Sequence, residues 1–198
     1  IRVGVKDVER VAEAIGADIE DREQTHRAEA MAGHVPPPVK PIPVLYVACD
    51  GTGVPVTRRE TAGRKGKHSD GNARTREAKL GCVFTQVKTD SEGFPLREEG
   101  STTYTGAIET AETFGERLYA EALMRGLLHA KLAVVLGDGA HWIWNTAAMH
   151  FPHAVHIVDL YHAREHLYAL LKLIFPPGEF YKARCKEWSD WLEKGKVE

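Results

Sequence analysis

Residues 131–167 read KLAVVLGDGAHWIWNTAAMHFPHAVHIVDLYHAREHL, and this stretch decides the fold. It contains two short apolar runs, 132–136 and 154–158, and each reaches an aspartate within two residues, Asp138 and Asp159. Runs this short and this rich in Val, Leu and Ile predict strands buried on both faces, as in a parallel sheet. The segments between and after them predict helices over 140–150 and 161–174, the second stopped by Pro176 and Pro177. Both carboxylates are thereby delivered to the carboxyl ends of parallel strands, the edge where open α/β proteins do their chemistry.

Working outward toward the N-terminus, 108–128 places Ile108, Ala111, Phe114, Leu118, Ala122 and Leu127 on one helical face, despite a Gly115 that costs about 1 kcal/mol relative to Ala. That is the pattern of a long helix covering a sheet. Before it, KLGCVFTQVK at 79–88 predicts a strand, followed by a turn at 90–95 and a short strand near 101–105. Further upstream, 44–49 is a continuous apolar run ending in Asp50, and Gly51 and Gly53 predict a tight turn into a second short strand. The segment 58–79, RRETAGRKGKHSDGNARTREAK, has no periodicity and predicts a mobile loop. Arg58, Arg59, Arg64, Lys65, Lys67, Arg74 and Arg76 would let it grip phosphates, and a merely solvated loop is the competing reading.

Four segments follow from this pass. Residues 1–35 form an N-terminal helical arm, or the remnant of a preceding domain, with Val3, Val5, Val8, Val11, Ala12, Ile15 and Ile19 at helical spacing. Residues 36–43 are a proline-rich linker, too dense in Pro for helix or central strand. Residues 44–175 hold the α/β core, and 176–198 begin a further helical segment that offers Tyr181, Trp188, Trp191 and Leu192 to something outside the sequence.

The net charge of −2 and the 27% of charged residues are ordinary, so any nucleic-acid surface must be local. Cys49, Cys82 and Cys185 form no CxxC pair, which argues against a zinc ribbon and a disulfide framework and fits a reducing cytoplasm. No apolar stretch approaches the roughly 20 residues that span a bilayer. The first residue is Ile1 and the last segment reaches Glu198 in mid-helix pattern, from which we expect a piece of a longer polypeptide.

As elements, the core reads strand, strand, strand, helix, strand, helix, strand, helix, the pattern of a ribonuclease H-like domain. In that topology the first and fourth strands are neighbours, so Asp50 and Asp138 meet at the sheet centre. Two carboxylates so placed repel unless a hard divalent cation lies between them. Paired cations about 4 Å apart would clamp the attacking and leaving oxygens of an in-line phosphoryl transfer. Each aspartate alone precedes a glycine and reads equally as a turn former; the pair favours a metal site.

The ordered set CDGTGVP at 49–55, KLGCVFT at 79–85, GDGAHWIW at 137–144 and IVDLYHAREHL at 157–167 resembles the bacterial insertion-sequence transposases related to the Mutator-like superfamily. The resemblance spans roughly 44–173. It implies a DDE transposase with a ribonuclease H-like core that uses Mg²⁺ or Mn²⁺ to cut transposon ends and join them to target DNA, working as a homo-oligomer. Asp50 matches the first catalytic aspartate and Asp138 the second; Asp159 and His162 match the DxxH element that follows. The family places a third carboxylate, a glutamate, on a helix beyond a helical insertion, and this chain offers no equivalent, which implies truncation and inactivity alone. Neither Glu187 nor Glu193 is nominated for the role.

Two rival readings stand beside it. His162, Glu165 and His166 spell HxxEH, the inverted zincin signature, which needs a third zinc ligand well downstream and leaves Asp50 and Asp138 unexplained. The other is a non-catalytic module that binds DNA or partner subunits through its basic loop and Trp-containing tail. Asp159 also reads as a helix cap, and His162 and His166, four residues apart, share one helix face. Trp142 and Trp144 read as packing residues.

Overall fold

In the computed structural model, which describes residues 4–66, 68–96 and 98–196, the apolar run after the prolines becomes the middle of a mixed sheet. This strand, β1 (Ile42–Pro55), is followed by β2 (Thr75–Thr85), a two-stranded ribbon β3 (Lys88–Thr89) and β4 (Pro95–Leu96), and β5 (Thr103–Ala107). Helix α2 (Ala111–Met124) leads to β6 (Ala130–Gly137), α3 (His141–His150), β7 (Val155–Val158), α4 (Leu160–Ile174) and α5 (Glu179–Glu193), while α1 (Val5–Met31) precedes the sheet. The protein is a mixed α/β fold whose strand order is β5-β2-β1-β6-β7. β5, β2 and β1 run antiparallel to their neighbours, and β6 and β7 continue from β1 in parallel.

Alternation along the strands sorts the residues onto two faces. Leu45, Val47 and Cys49 of β1 point the same way as Val83 and Val135, and pack against Phe114, Leu118 and Ala122 of α2 and Ile143 and Ala147 of α3. Each such fully buried side chain contributes on the order of 1.5–3 kcal/mol. The close approach of α2 needs Gly81 on β2, because a Cβ there would meet Leu118 Cδ1 at 2.6 Å. The opposite face, carrying Tyr46, Leu80, Cys82, Phe84, Tyr104 and Ile157, is partly open to solvent, with Tyr104 57% exposed.

Several expectations need correction. Gly51 and Gly53 do not turn: β1 runs straight through them, paired residue by residue with β2 from Leu45–Thr85 to Pro55–Thr75. β2 accordingly begins at Thr75, inside the segment read as a mobile loop, and the remainder is organised by turns and a Lys65–Asn72 bridge. β7 is exposed along its length, as an edge strand with one neighbour, rather than buried on both faces. α2 stops at Arg125, where Gly126 adopts φ 90°, so Leu127 falls in a separate 3₁₀ turn. β1 starts at Ile42, within the proline linker, and the ladder to β6 steps from Ile42 to Val44, passing over Pro43, which has no N–H to give.

The arm α1 is fastened at its C-terminal half. Ala30 packs with Ala120 and Leu123, and the buried Arg117 guanidinium of α2 binds Glu20 and Glu23 of α1 together with Glu109. At the other end of the chain, α4 and α5 pack on each other through Tyr168 and Ser189, Arg164 and Glu193, and the rings of Phe175, Phe180 and Trp188. Trp188 thus packs within the chain, whereas Trp191, stacked on it at 6.3 Å, stays 42% exposed. Among the described residues no helix is long and apolar enough to cross a membrane.

Candidate active site

The register between strands fixes the site. β1 and β6 pair in parallel without a bulge from Val44–Leu132 to Ala48–Leu136, which carried two residues further sets Asp50 level with Asp138. β6 and β7 pair from Val134–Val155 to Gly137–Val158, so the next step sets Asp138 level with Asp159, and the Asp159 amide still donates to the Gly137 carbonyl at 2.8 Å. The three aspartates thus follow the last paired residues of these two ladders: Asp138 and Asp159 leave the ends of β6 and β7, whereas Asp50, expected at a strand end, lies within β1, which runs on to Pro55. All three share the open face of the sheet.

Each carboxylate accepts from a backbone amide close to it in sequence. The Oδ1 of Asp50 accepts from the Gly51 amide at 2.7 Å, and that of Asp138 from the Ala140 amide at 2.7 Å. Gly137 is the residue that lets the chain turn toward α3 here, since a Cβ would lie 2.6 Å from Ile143 Cγ2. Asp159 caps α4, its Oδ1 accepting from Tyr161 at 2.7 Å and His162 at 3.1 Å. The His162 amide, then the Tyr161 amide, hold its carboxyl below the usual aspartate value against the opposing effect of burial.

Asp50, Asp138, Asp159 and His162 line a single cleft of about 230 Å³, whose floor is Ala48, Leu80, Cys82 and Leu136. The His162 Nδ1 is buried and stands 3.6 Å from Asp159 Oδ1, beyond hydrogen-bond range. His166, one turn further along α4, approaches the same corner, its Nε2 3.9 Å from where a side chain on Gly139 would begin. Cys49, behind the cleft, has its thiol pushed up to about 12 by burial and then by the Asp138 and Asp50 carboxylates. No protein-family profile matches the chain. No curated protein matches it either.

What the cleft can hold follows from its donors. Carboxylate oxygens suit a hard cation such as Mg²⁺, which takes one or two carboxylates and fills its remaining positions with water and phosphate oxygens. Among the described residues no group of three His, Cys, Asp or Glu side chains converges as a ready ligand set. That holds for Asp50, Asp138 and Asp159 as for His162, Glu165 and His166, so a metal at either set would take further ligands from outside the described residues.

The basic residues stand apart from the cleft. β1 and β2 continue beyond Asp50 as a two-stranded ribbon, and its tip carries exposed Arg58, Arg59, Arg64, Lys65 and Arg74. Arg58 and Arg74, with Thr61 and Asn72, line an open depression of about 640 Å³, into which Asp70 also projects and pairs with Arg74 at 3.4 Å. Arg76 is half-buried and donates to the Ile108 carbonyl at 3.2 Å; Lys67 lies outside the described residues. Trp142 packs edge-on against Phe114 and beneath Lys79, and Trp144 lies against His156.

Sequence reasoning passed over Leu80, Cys82 and Tyr104, which also line the cleft. For the first two a signal was there: in KLGCVF, Leu80, Cys82 and Phe84 alternate with the helix-facing Gly81 and Val83. Tyr104 joins them only through the register of β5 against β2, which sets it opposite Cys82.

Proposed function

We propose that the chain carries a ribonuclease H-like catalytic core of the DDE type, from an insertion-sequence transposase related to the Mutator-like superfamily, acting on DNA in the cytoplasm as a homo-oligomer. The observation that carries this reading is that Asp50, Asp138 and Asp159, from three adjacent strands of the order β5-β2-β1-β6-β7, line one cleft. Asp50 and Asp138 would hold Mg²⁺ or Mn²⁺, which when bound supplies charge neutralisation at the scissile phosphate and readies the attacking oxygen. Asp159 holds the first turn of α4 in place, so that His162 stays over the cleft. The ribbon tip with Arg58, Arg59, Arg64, Lys65 and Arg74 would grip the DNA backbone beside it.

A non-catalytic DNA-binding or subunit-interaction module is the second reading, favoured by the lack of a converged three-ligand group among the described residues. Mn²⁺ titration by electron paramagnetic resonance, followed by a plasmid-nicking assay in Mn²⁺, tests the two. The expected result is Mn²⁺ binding that disappears in Asp50→Asn and Asp138→Asn at unchanged circular dichroism, with any nicking lost alongside it. Salt-sensitive DNA binding without Mn²⁺ binding would favour the module, and stoichiometric zinc on His162 and His166 would overturn both.

A further inference from the structure

The open face of the sheet carries aromatic rings next to the aspartate cleft. Tyr46 and Phe84 face each other across β1 and β2 and stack with centroids 5.0 Å apart and planes at 11°. Tyr104, on the neighbouring strand opposite Cys82, is 57% exposed. The cleft holding the aspartates meets a second depression of about 240 Å³ at Cys82 and Tyr104, and this one is lined by Phe84, Gln86 and Thr102. One groove therefore runs from the acidic end to the aromatic rings.

An occupant of that groove must offer a flat apolar surface at one end and a group compatible with a carboxylate-bound cation at the other. A single-stranded nucleic acid does both, because each base has a π-face and each phosphate is a hard-oxygen ligand. Asp50 is level with Gly106 of β5, so Tyr104 lies two strand spacings across and two residues along, roughly 12 Å away, and a base over it belongs to a nucleotide one or two along from the one whose phosphate meets Asp50. Exposed aromatics on a sheet face are a recurrent platform for unpaired bases. The basic ribbon tip beyond Asp50 supplies the countercharge for the rest of the strand.

We infer that Tyr104, on the same sheet face as the Tyr46–Phe84 pair, stacks an unpaired base of a single-stranded end held beside the aspartate cleft. This rests on the phosphoryl-transfer reading for its substrate, but is tested without metal. Fluorescence anisotropy of a short labelled oligothymidine and of a hairpin duplex, in EDTA at fixed salt, gives the affinities. The single strand should bind more tightly than the duplex, Tyr104→Ala should weaken it about tenfold, and Tyr104→Phe should stay within about twofold. An iodouracil-substituted oligonucleotide should photo-crosslink to Tyr104 in the wild-type chain, which does not depend on how the variants fold. Equal affinity of Tyr104→Ala and wild type, duplex preference, or a Tyr104→Ala change in oligomeric state by sedimentation would overturn the inference, the last by assigning this face to a second copy. Asp138→Asn separates the two ideas: stacking intact with no loss of Mn²⁺ binding sinks only the catalytic reading, whereas lost Mn²⁺ binding with no effect of Tyr104→Ala sinks only the stacking.

Discussion

Asp159 serves two structural ends with one carboxylate, since it faces the cleft and accepts from the first amides of α4. Removing a capping side chain costs about 1 kcal/mol, so Asp159→Ala should lower the urea midpoint accordingly. A carboxyl with a lower pKa folded than unfolded adds stability that is present above its unfolded value and lost as pH falls through the folded one. The deficit of Asp159→Ala should therefore be full at neutral pH and shrink below about pH 4, as urea curves at several pH values would show. Cys49 offers a second check. With its thiol raised to about 12 by burial and the neighbouring carboxylates, it stays protonated and shielded, and iodoacetamide should label it only after unfolding, as peptide mapping would reveal.

At the scale of elements, the polar attachment of α1 centres on Arg117, beside the packing of Ala30 on Ala120 and Leu123. The Arg117 side chain is 5% exposed and donates to Glu109 at 2.9 Å and to Glu20 at 3.1 Å, with Glu23 completing the set. Arg117→Ala leaves three partly solvated carboxylates near one another without their cation, a loss on the order of 1–3 kcal/mol. The expected readouts are a lower Tm and faster tryptic cleavage within α1 than within the sheet. Elements were legible wherever hydrophobic order was local: 44–49, 132–136 and the face of Phe114, Leu118 and Ala122 all lie where their patterns placed them. They were misread where the deciding partner lay elsewhere in the chain. Gly51 looks like a turn until β2 is paired against it, and the apolar composition of β7 says nothing of its being at an edge.

For the whole molecule, the basic residues sit on a ribbon that projects past the sheet, so that Arg58 and Arg74 line a depression separate from the aspartate cleft. Replacing Arg58, Arg59, Arg64 and Lys65 together by Ala should reduce the slope of log affinity for duplex DNA against log salt by about 0.9 for each lost phosphate contact. Mn²⁺ binding at Asp50 and Asp138 should be unchanged, and a slope equal to wild type would place the DNA elsewhere. The candidate site was legible as far as Asp138 and Asp159, which follow apolar runs that do end as strands; Asp50 was legible as a residue of the cleft but not as one inside a strand that runs on to Pro55. The aromatic side of the cleft was not legible, because Tyr104 reaches it only through two antiparallel pairings in series.

The position of β1 has a kinetic consequence. Its partner on one side is β2, the next strand in the chain, and its partner on the other is β6, which follows only after β5 and α2. Hairpin formation is quick, while closing a loop that long is slow and comes late. A partially folded chain with β1 and β2 zipped but β6 undocked holds Asp50 without Asp138 or Asp159, so the acidic cleft is assembled only as the sheet is completed.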